Sequence, residues 1–363
     1  MILVLLLACH RHDDDKVRDV PPPYDPPDLV GPWSVGVTEG SGPGPDGLTL
    51  TWQVWYPAAD TDGLSLYNYG ELGTGTATGE AQPDCADPRP VLVISHASGG
   101  GRLYLLELAE RAASHGVVVI APDHPGSTRE DLDLDNYAAI ILRRPLDLAA
   151  AYDGVVAAAA VEDAPLAGCL DQTAGYSVFG HDMGATTALM AAGAPIDLLA
   201  ADAACADGDT VYCQLRDAVG DTGLASVDQS DPRVWAAAAL APNDVLLTGD
   251  TAAAIAVPTL ILGGRQDLST PWGDVVYPIF EDLVALPRGA AGVDGAGHNS
   301  FTRLCDVQPN YAECGAGYIP PSDARELLND LAVPFVLYAG GDDKALEFLP
   351  PDNDAIFWHW IGS

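Results

Sequence analysis

The chain has 363 residues, of which 48% are hydrophobic, and this size and composition suit one large globular domain with a sizeable core. Its formal net charge is −36, and its only lysines are Lys16 and Lys344. A surface this acidic repels nucleic acid and anionic lipid headgroups. Nucleic acids are therefore excluded as partners, and contact with a membrane is expected only through a lipid anchor.

The N-terminal segment predicts an exported protein. Residues 2–8 are apolar and lead into Cys9, a pattern that resembles the end of a bacterial lipoprotein signal, with lipid attachment at Cys9. No positively charged segment precedes this run, which indicates a truncated signal; a frayed apolar terminus is the alternative. Residues 10–30 are rich in Asp and Pro and predict an extended tether, or a leader without a role. We expect a lipid-anchored protein of a bacterial cell envelope or an extracellular one.

The cysteines other than Cys9 are even in number, as is typical of exported proteins with disulfide bonds. Two predicted pairs close short loops, and the third pair is left by elimination. These pairs are Cys205–Cys213, Cys305–Cys314 and Cys85–Cys169. Other connectivities remain open, and a zinc site is the rival interpretation, although the chain has no Cys-x-x-Cys spacing.

Predicted strands alternate with helices from residue 31 onward. The first strand, Leu48–Tyr56, is rich in aromatic residues and Thr and is predicted to lie at a sheet edge; residues 60–88 have the composition of a long surface loop. Short apolar runs further along predict strands that are buried on both faces of a parallel sheet. These runs are Val91–Ser95, Val117–Ala121, Tyr176–Phe179, Val234–Leu240, Pro258–Leu262 and Ala290–Val293.

Amphipathic or alanine-rich segments between these strands predict helices. They are Leu103–Ser114, a long helix from near Arg144 to Ala160, Ala185–Ala192, Val275–Leu286 and Ser322–Tyr338. The long helix is expected to begin near Arg144 because Pro145 suits a first helical turn. The alternation predicts an α/β fold over residues 31–363, with a mainly parallel, doubly wound sheet and helices on both faces.

The run Gly180-His181-Asp182-Met183-Gly184 joins a predicted strand to a predicted helix. The glycines on either side of Asp182 permit a sharp turn and a close approach of strand and helix. This pattern resembles the nucleophile elbow of α/β-hydrolases, which exposes its central residue to the substrate at the top of the sheet. That central residue is usually Ser, and here it is Asp182.

Two later residues complete a catalytic constellation with Asp182. Asp267 comes just after a buried strand, and His298 lies in a Gly-rich turn after the next one. Nucleophile, acid and His follow one another in the chain order of the α/β-hydrolase triad. Because open α/β sheets place their sites at the carboxyl ends of strands, we expect the three side chains to meet there.

The Gly-rich turn after Ser95 predicts an oxyanion hole. In this arrangement one backbone amide comes from that turn and another from the residue after the nucleophile. The predicted donors are the amides of Ser98 and Met183. The alternative is that the glycines only make a tight turn.

Several motifs occur together over roughly residues 48–340. They include Ser95-His96 with its Gly-rich turn, Ala121-Pro122-Asp123-His124-Pro125-Gly126-Ser127-Thr128, Arg144-Pro145-Leu146-Asp147, Asp231-Pro232-Arg233-Val234 and Gly297-His298. Together they resemble the platelet-activating-factor acetylhydrolase and dienelactone-hydrolase-like group of α/β-hydrolases. The resemblance implies an α/β-hydrolase fold and hydrolysis of small carboxylic or lipid-like esters by a Ser-His-Asp triad, without a cofactor. The chain departs from the group at Ala97, where Gly is usual, and at Asp182.

An Asp nucleophile restricts the chemistry. A carboxylate that attacks an ester carbonyl forms a high-energy anhydride. Attack on a saturated carbon that bears a halide, or on an epoxide carbon, forms an ordinary ester, which water activated by His298 can cleave. Haloalkane dehalogenases and epoxide hydrolases work in this way. Their elbows usually carry Trp after the Asp, where this chain has Met183, and they have a cap domain that is not evident in this sequence.

Three hypotheses follow for a small-molecule substrate or ligand. The first, which the sequence favours, is an ester hydrolase in which Asp182 has an altered role, such as a base that directs water. The second is an Asp-nucleophile hydrolase at alkyl carbon, of the haloalkane or epoxide type. The third is a catalytically inactive binding protein, which the retention of Asp267 and His298 disfavours.

Other chemically suggestive residues are predicted to be structural. The acidic run 131–136 lacks the Gly and the closing Glu of a calcium-binding loop, so a solvated turn is expected and no metal site is predicted. Trp52 and Trp55 are expected in the core, whereas Trp272 is better placed to line the cleft.

Overall fold

A computed structural model describes residues 25–362, apart from 163, 172, 221, 244–246 and 248. The predicted signal with Cys9, and the predicted tether up to residue 24, lie outside this range. Within residues 25–30 of the tether, the Leu29 carbonyl accepts a hydrogen bond from His115 Nε2 at 2.8 Å, which joins this stretch to the body of the protein. Within the described range, no helix is long and apolar enough to cross a membrane.

The described strands form one sheet of twelve strands and one separate pair. In chain order they are β1 (Ser34–Pro43), β2 (Thr49–Asp60), β3 (Leu66–Asn68), β4 (Thr74–Gly79), β5 (Gln82–Pro83), β6 (Val91–Ser95), β7 (Val118–Pro122), β8 (Tyr176–His181), β9 (Ile196–Asp197), β10 (Ser226–Val227), β11 (Val234–Leu240), β12 (Thr259–Gly264), β13 (Arg288–Val293) and β14 (Ile356–Ile361). β9 and β10 form the separate pair.

The α-helices of the described range connect these strands. They are α1 (Leu106–Ser114), α2 (Tyr137–Ala159), α3 (Met183–Ala191), α4 (Leu198–Ala206), α5 (Thr210–Val219), α6 (Gly249–Ala252), α7 (Tyr277–Asp282), α8 (Leu304–Val307) and α9 (Pro321–Ala339). One turn of π-helix, Trp272–Val276, leads into α7.

The strand order is β14-β13-β12-β11-β8-β6-β7-β2-β1-β4-β3, with β5 beside β2. The central strands from β13 to β7 run parallel, whereas β14 and β2 flank them in antiparallel orientation. The prediction of an α/β fold with a mainly parallel sheet is therefore confirmed.

Helices cover both faces of the sheet, as predicted. Consecutive residues of a strand point to opposite faces, so Leu92 and Phe179 join a core that contains α1 and α9. Their neighbours Val93 and Val178 join a second core that contains α2, α3 and α7. The central strands are buried on both faces, which explains their continuous apolar sequences.

The prediction that the strand around Leu48–Tyr56 lies at an edge is wrong. This strand is β2, which pairs with β7 on one side and with the whole length of β1 on the other. The sequence of β1 resembles a loop because it is rich in Gly. A Cβ at Gly36 or Gly40 would overlap or crowd the rings of Tyr56 and Trp52, so these glycines make room for the aromatic residues of the neighbouring strand. The predicted loop 60–88 likewise contains β3, β4 and β5.

The long helix begins earlier than predicted. α2 starts at Tyr137, and Pro145 lies inside it. A proline within a helix removes one backbone hydrogen bond, but the side chains of Arg144 and Asp147 on either side are fully buried and hydrogen-bonded. These tertiary contacts hold the helix together through the proline.

The three predicted cysteine pairs are confirmed as disulfides. Cys205–Cys213 joins α4 to α5, Cys305–Cys314 closes the segment after β13, and Cys85–Cys169 joins the segment before β6 to the one before β8. Cysteines bonded to each other are not available as zinc ligands, so the rival zinc interpretation fails for these six.

Candidate active site

Asp182 occupies a strained turn between β8 and α3. Its backbone has φ 55° and ψ −123°, a conformation that residues other than glycine rarely adopt. The Asp182 amide donates to the Leu240 carbonyl at 3.0 Å, and the Asp182 carbonyl accepts from Ala185 at 2.9 Å. Strain of this kind persists only where the surrounding structure holds it, and it is concentrated at functional sites.

The two glycines of the elbow are required by close backbone contacts. A Cβ on Gly180 would overlap the Gly184 carbonyl. A Cβ on Gly184 would overlap the Ser95 carbonyl and lie 2.6 Å from the His96 carbonyl oxygen. α3 therefore approaches the end of β6 more closely than any side chain at these positions would allow.

We expect Gly184→Ala to lower the free energy of unfolding by about 3 kcal/mol, because the added methyl group collides with backbone that cannot move independently. Urea unfolding of the purified protein measures this loss. Gly273→Ala is the matched control, since a Cβ there meets no atom within 4 Å. Equal stability of the two variants would show that the elbow is not packed as described.

The three predicted site residues meet at the carboxyl ends of the strands. His298 lies between the two carboxylates: its Nδ1 is 2.7 Å from Asp267 Oδ2, and its Nε2 is 3.5 Å from Asp182 Oδ1. Asp267 is held in turn by its own loop, where its Oδ1 accepts from the amides of Ser269 at 2.7 Å and Thr270 at 2.9 Å. The imidazole is thus oriented by one carboxylate toward the other.

The predicted oxyanion hole holds the Asp182 carboxylate itself. The Ser98 amide donates to Asp182 Oδ2 at 3.1 Å. The Met183 amide also hydrogen-bonds this carboxylate and helps to lower its pKa. At the Ser98 amide, Oδ2 therefore occupies the position where a serine hydrolase binds the oxyanion of its substrate, while Oδ1 lies beside His298.

The charges of the three residues stabilise one another. Burial lowers the pKa of His298, but the carboxylates of Asp182 and Asp267 outweigh burial and raise this pKa to about 10. Burial raises the pKa of Asp182, but the hydrogen bond and charge of His298 and the Met183 amide hold it well below its usual range. At neutral pH the site is therefore an imidazolium between two carboxylates.

His181, the residue before Asp182, stabilises the turn that carries His298. It is buried, and its Nε2 lies 2.9 Å from the His298 carbonyl oxygen. Burial, reinforced by the charge of His298, lowers the pKa of His181 to about 4. His181 is therefore neutral, and its Nε2–H donates to the His298 backbone, which fixes the turn that carries His298.

A cavity of about 210 Å³ opens over Asp182 and His298. Side chains from the Gly-rich turn and from the segment after β13 form its walls, including Tyr104, Leu304 and Tyr311. The second of these walls is fastened by the Cys305–Cys314 disulfide. A larger groove, of about 1120 Å³, runs along β1–β5 and contains none of the predicted site residues.

The Cys305–Cys314 segment also supports the turn that carries His298. Glu313 is buried within this segment, and its Oε2 accepts a hydrogen bond from the Asn299 amide at 2.6 Å. The loop that walls the cavity is therefore tied directly to the residue after His298.

Other residues singled out in the sequence lie outside the site. Trp272 contacts Tyr277 and Phe357 and does not line this cavity. Asp131 accepts hydrogen bonds from the Gly126 and Thr128 amides, as a structural turn does. Within the described residues, no group of three or more His, Cys, Asp or Glu side chains is arranged to hold a metal ion.

The structure adds three residues that the sequence prediction did not include. Thr270 donates from its hydroxyl to Asp267 Oδ2 at 2.8 Å. The Tyr137 hydroxyl is hydrogen-bonded to the Ser98 side chain, close to Asp182. Arg144 lies buried behind the Gly-rich turn. The Asp-x-x-Thr spacing could have indicated Thr270, whereas Tyr137 and Arg144 reach the site only through tertiary packing of α2.

The chain was compared with protein-family models and with curated proteins. No family model matches it, and no curated protein matches it either. The chemistry that the site can perform is therefore inferred from its own residues.

Proposed function

We propose that the protein is a hydrolase of the α/β-hydrolase type in which Asp182 attacks a saturated carbon atom and His298 then directs water onto the resulting ester. The elbow, the parallel sheet and the chain order of Asp182, Asp267 and His298 support this superfamily. One observation carries the reaction type: Asp182 Oδ2 is bound by the Ser98 amide, while Oδ1 remains beside His298.

This geometry favours the alkyl-carbon hypothesis over ester hydrolysis. An ester substrate needs free amide donors for its oxyanion, and here the Asp182 carboxylate occupies them. The depressed pKa of Asp182 also makes it a weak base toward water. The same contacts serve a carboxylate nucleophile well, because Oδ2 becomes the oxyanion when water later attacks the Asp182 ester.

The first step is a displacement at carbon. Asp182 Oδ1 forms a bond to the saturated carbon of the substrate, and the bond from that carbon to its leaving atom breaks, with the electron pair departing on a halide or an epoxide oxygen. An epoxide oxygen also takes up a proton from solvent. The leaving atom departs opposite Oδ1, and Ser98, Tyr104, Thr302 and Tyr311 are the hydroxyl-bearing residues that line the cavity.

The second step restores the enzyme. Esterification removes the charge of Asp182, one of the two carboxylates that raise the pKa of His298, so the imidazolium releases its proton to solvent. His298 Nε2 then accepts a proton from water, and the hydroxide oxygen bonds to the Asp182 carbonyl carbon. Oδ2 carries the negative charge against the Ser98 amide, and the Met183 amide hydrogen-bonds the same carboxyl group. Collapse of this intermediate breaks the ester bond and releases an alcohol, which takes the proton from His298. The carboxylic acid left at Asp182 then passes its proton to His298, which restores the carboxylate and the imidazolium.

The substrate should be small and uncharged. A cavity of about 210 Å³ is below the range of roughly 300–1,000 Å³ that drug-sized ligands occupy. The anionic Asp182 and the net charge of −36 repel carboxylates and phosphates. Short haloalkanes and epoxides meet both conditions.

The proposal is tested by assaying wild type and Asp182→Ser against short chloroalkanes, short epoxides and a short-chain nitrophenyl ester. Wild type should turn over an alkyl substrate, and Asp182→Ser should lose this activity and gain ester hydrolysis, because Ser leaves the Ser98 and Met183 amides free. Ester hydrolysis by wild type that disappears in His298→Ala, without alkyl turnover, would instead support the ester hydrolase. Activity in Asp182→Ser alone would support an inactive binding protein.

We also propose that the protein is exported. Three disulfides support this, because such bonds persist in oxidising compartments. Lipid attachment at Cys9 belongs to the same proposal. Expression behind a complete lipoprotein signal that ends at Ala8, with a labelled fatty acid, tests it: the protein with Cys9 should carry the label, and Cys9→Ser should not.

A further inference from the structure

We propose that Arg144 is a positioning residue that holds the Ser98 and Met183 amides in place around Asp182. Its effect on turnover depends on the proposed function. Its effect on the two amides does not, because these amides bind the Asp182 carboxylate in the resting protein.

Arg144 is a fully buried cation that joins three segments of the fold. Its Nε donates to the Thr187 hydroxyl on α3 at 3.1 Å, and its Nη1 donates to the Ser127 hydroxyl after β7 at 2.7 Å. Its Nη2 donates to the Ser95 hydroxyl at 3.2 Å and to the His96 carbonyl after β6. Burial lowers the pKa of Arg144 to about 10, so it remains charged at neutral pH.

Two of these contacts lead directly to the amides that bind Asp182. The His96 carbonyl is two residues before Ser98, so its bond to Arg144 fixes the course of the Gly-rich turn. The Thr187 hydroxyl that accepts from Arg144 also donates to the Met183 carbonyl at 2.7 Å. One guanidinium therefore constrains both sides of the predicted oxyanion hole.

A buried chain of hydrogen bonds fixes the acceptor that Arg144 uses at Ser95. Burial keeps the pKa of His124 far below its ordinary value, so His124 is neutral. Its Nδ1–H donates to Asp147 Oδ2 at 2.9 Å, and its Nε2 accepts from the Ser95 hydroxyl at 2.9 Å. The Ser95 oxygen is thereby left to accept from Arg144. This Ser-His-Asp chain is fully buried, so it orders the site and does not meet substrate.

Lysine cannot replace Arg144 in this role. The planar guanidinium reaches partners in three directions at once, whereas an ammonium group is a compact charge at the end of a flexible stem. A buried cation without hydrogen-bond partners would not stabilise the fold, since burying a charge is costly. The three segments are held together by the several N–H donors of the guanidinium more than by its charge.

The test compares wild type with Arg144→Lys by NMR of the labelled full-length protein. Asp182→Asn first defines the chemical shift of the Ser98 amide without its charged acceptor. In Arg144→Lys, the Ser98 amide should move toward that reference and exchange with solvent at least about tenfold faster. Amides of β14 should be unchanged. Arg111→Lys is the matched control, because Arg111 is a second buried arginine that pairs with Glu326 on α9.

Thr187→Val keeps the test decisive if Arg144→Lys fails to fold. It removes the hydroxyl between Arg144 and the Met183 carbonyl, so the Met183 amide should shift and exchange faster. Unchanged Ser98 and Met183 amides in folded Arg144→Lys, or an unchanged Met183 amide in Thr187→Val, would overturn the proposal. These measurements need no turnover, so they remain valid if the proposed reaction is wrong.

If the proposed reaction is correct, Arg144→Lys should also lower kcat without a comparable change in KM. We expect kcat to fall about 100-fold, as it does when a reacting group is slightly misplaced, with KM within about threefold of wild type. A merely structural role would instead lower the active fraction and leave kcat per folded molecule unchanged.

Discussion

Asp182→Asn should reduce hydrolysis of the alkyl substrate by at least about 10⁴-fold. The amide has the shape of the carboxylate but is neutral and is a poor nucleophile, so the first step should fail while the fold is retained. The rate is measured with whichever epoxide or chloroalkane wild type accepts. Glu39→Gln serves as the control, because this carboxylate pairs with Arg102 and lies outside the site cavity. Turnover by Asp182→Asn near the wild-type rate would exclude Asp182 as the nucleophile.

The same substitution should lower the pKa of His298. Asp182 is one of two carboxylates that raise this pKa to about 10, and loss of a neighbouring opposite charge lowers a pKa by roughly one to three pH units. An NMR titration of the histidine ring protons in wild type and Asp182→Asn measures the change. An identical His298 pKa in both proteins would mean that the Asp182–His298 pair is not formed.

The Asp182–His298 ion pair also makes the stability of the fold depend on pH. The folded pKa of His298 lies above its ordinary value of 6.5. The ion pairs of His298 therefore stabilise the fold fully below pH 6.5, and this contribution is lost as the pH rises through about 10. In Asp182→Asn this contribution should be smaller and its loss should be complete at a lower pH, because the folded pKa of His298 is lower, and urea unfolding across this range would reveal both changes.

His298→Gln should stop the reaction halfway. Asp182 remains ionised and can still attack carbon, but no base is left to activate water, so the alkyl ester should accumulate. We expect steady-state turnover to fall by about 10³-fold and, with a chloroalkane, one equivalent of chloride to be released in a burst. Intact-mass spectrometry should show the protein heavier by the alkyl group of the substrate.

Peptide mapping should place that added mass on Asp182. The double variant Asp182→Asn/His298→Gln provides the control and should show neither burst nor adduct. If His298→Gln loses turnover without any adduct, His298 acts before or during the first step, and the proposed division of roles is incorrect.

The sequence predicted the parts of the site that depend on local patterns. The elbow around Asp182 follows from glycines at fixed spacing, and Asp267 and His298 follow from strands that end beside them. The central strands were recognisable because burial on both faces demands continuous apolar runs, as in Val91–Ser95. The close cysteine pairs were recognisable from their spacing.

What the sequence did not predict depends on contacts between distant segments. β1 was missed because its glycines resemble a loop until the rings of Trp52 and Tyr56 are placed over them. α2 was predicted to start too late because local rules put Pro145 in a first turn. In the structure, contacts of the buried Arg144 and Asp147 side chains stabilise the helix on both sides of Pro145. The occupation of the oxyanion hole by Asp182 likewise required the fold, since Ser98 lies 84 residues before it.

The central claim is that Asp182 supplies the first oxygen to the product. A single turnover in water labelled with ¹⁸O, with enzyme in excess over substrate, tests this most directly. Because water attacks the carbonyl carbon of the Asp182 ester, the account predicts ¹⁸O in the peptide that contains Asp182 and an unlabelled alcohol product. Labelled alcohol with an unlabelled Asp182 peptide would show that water attacks the substrate directly, and would contradict the account.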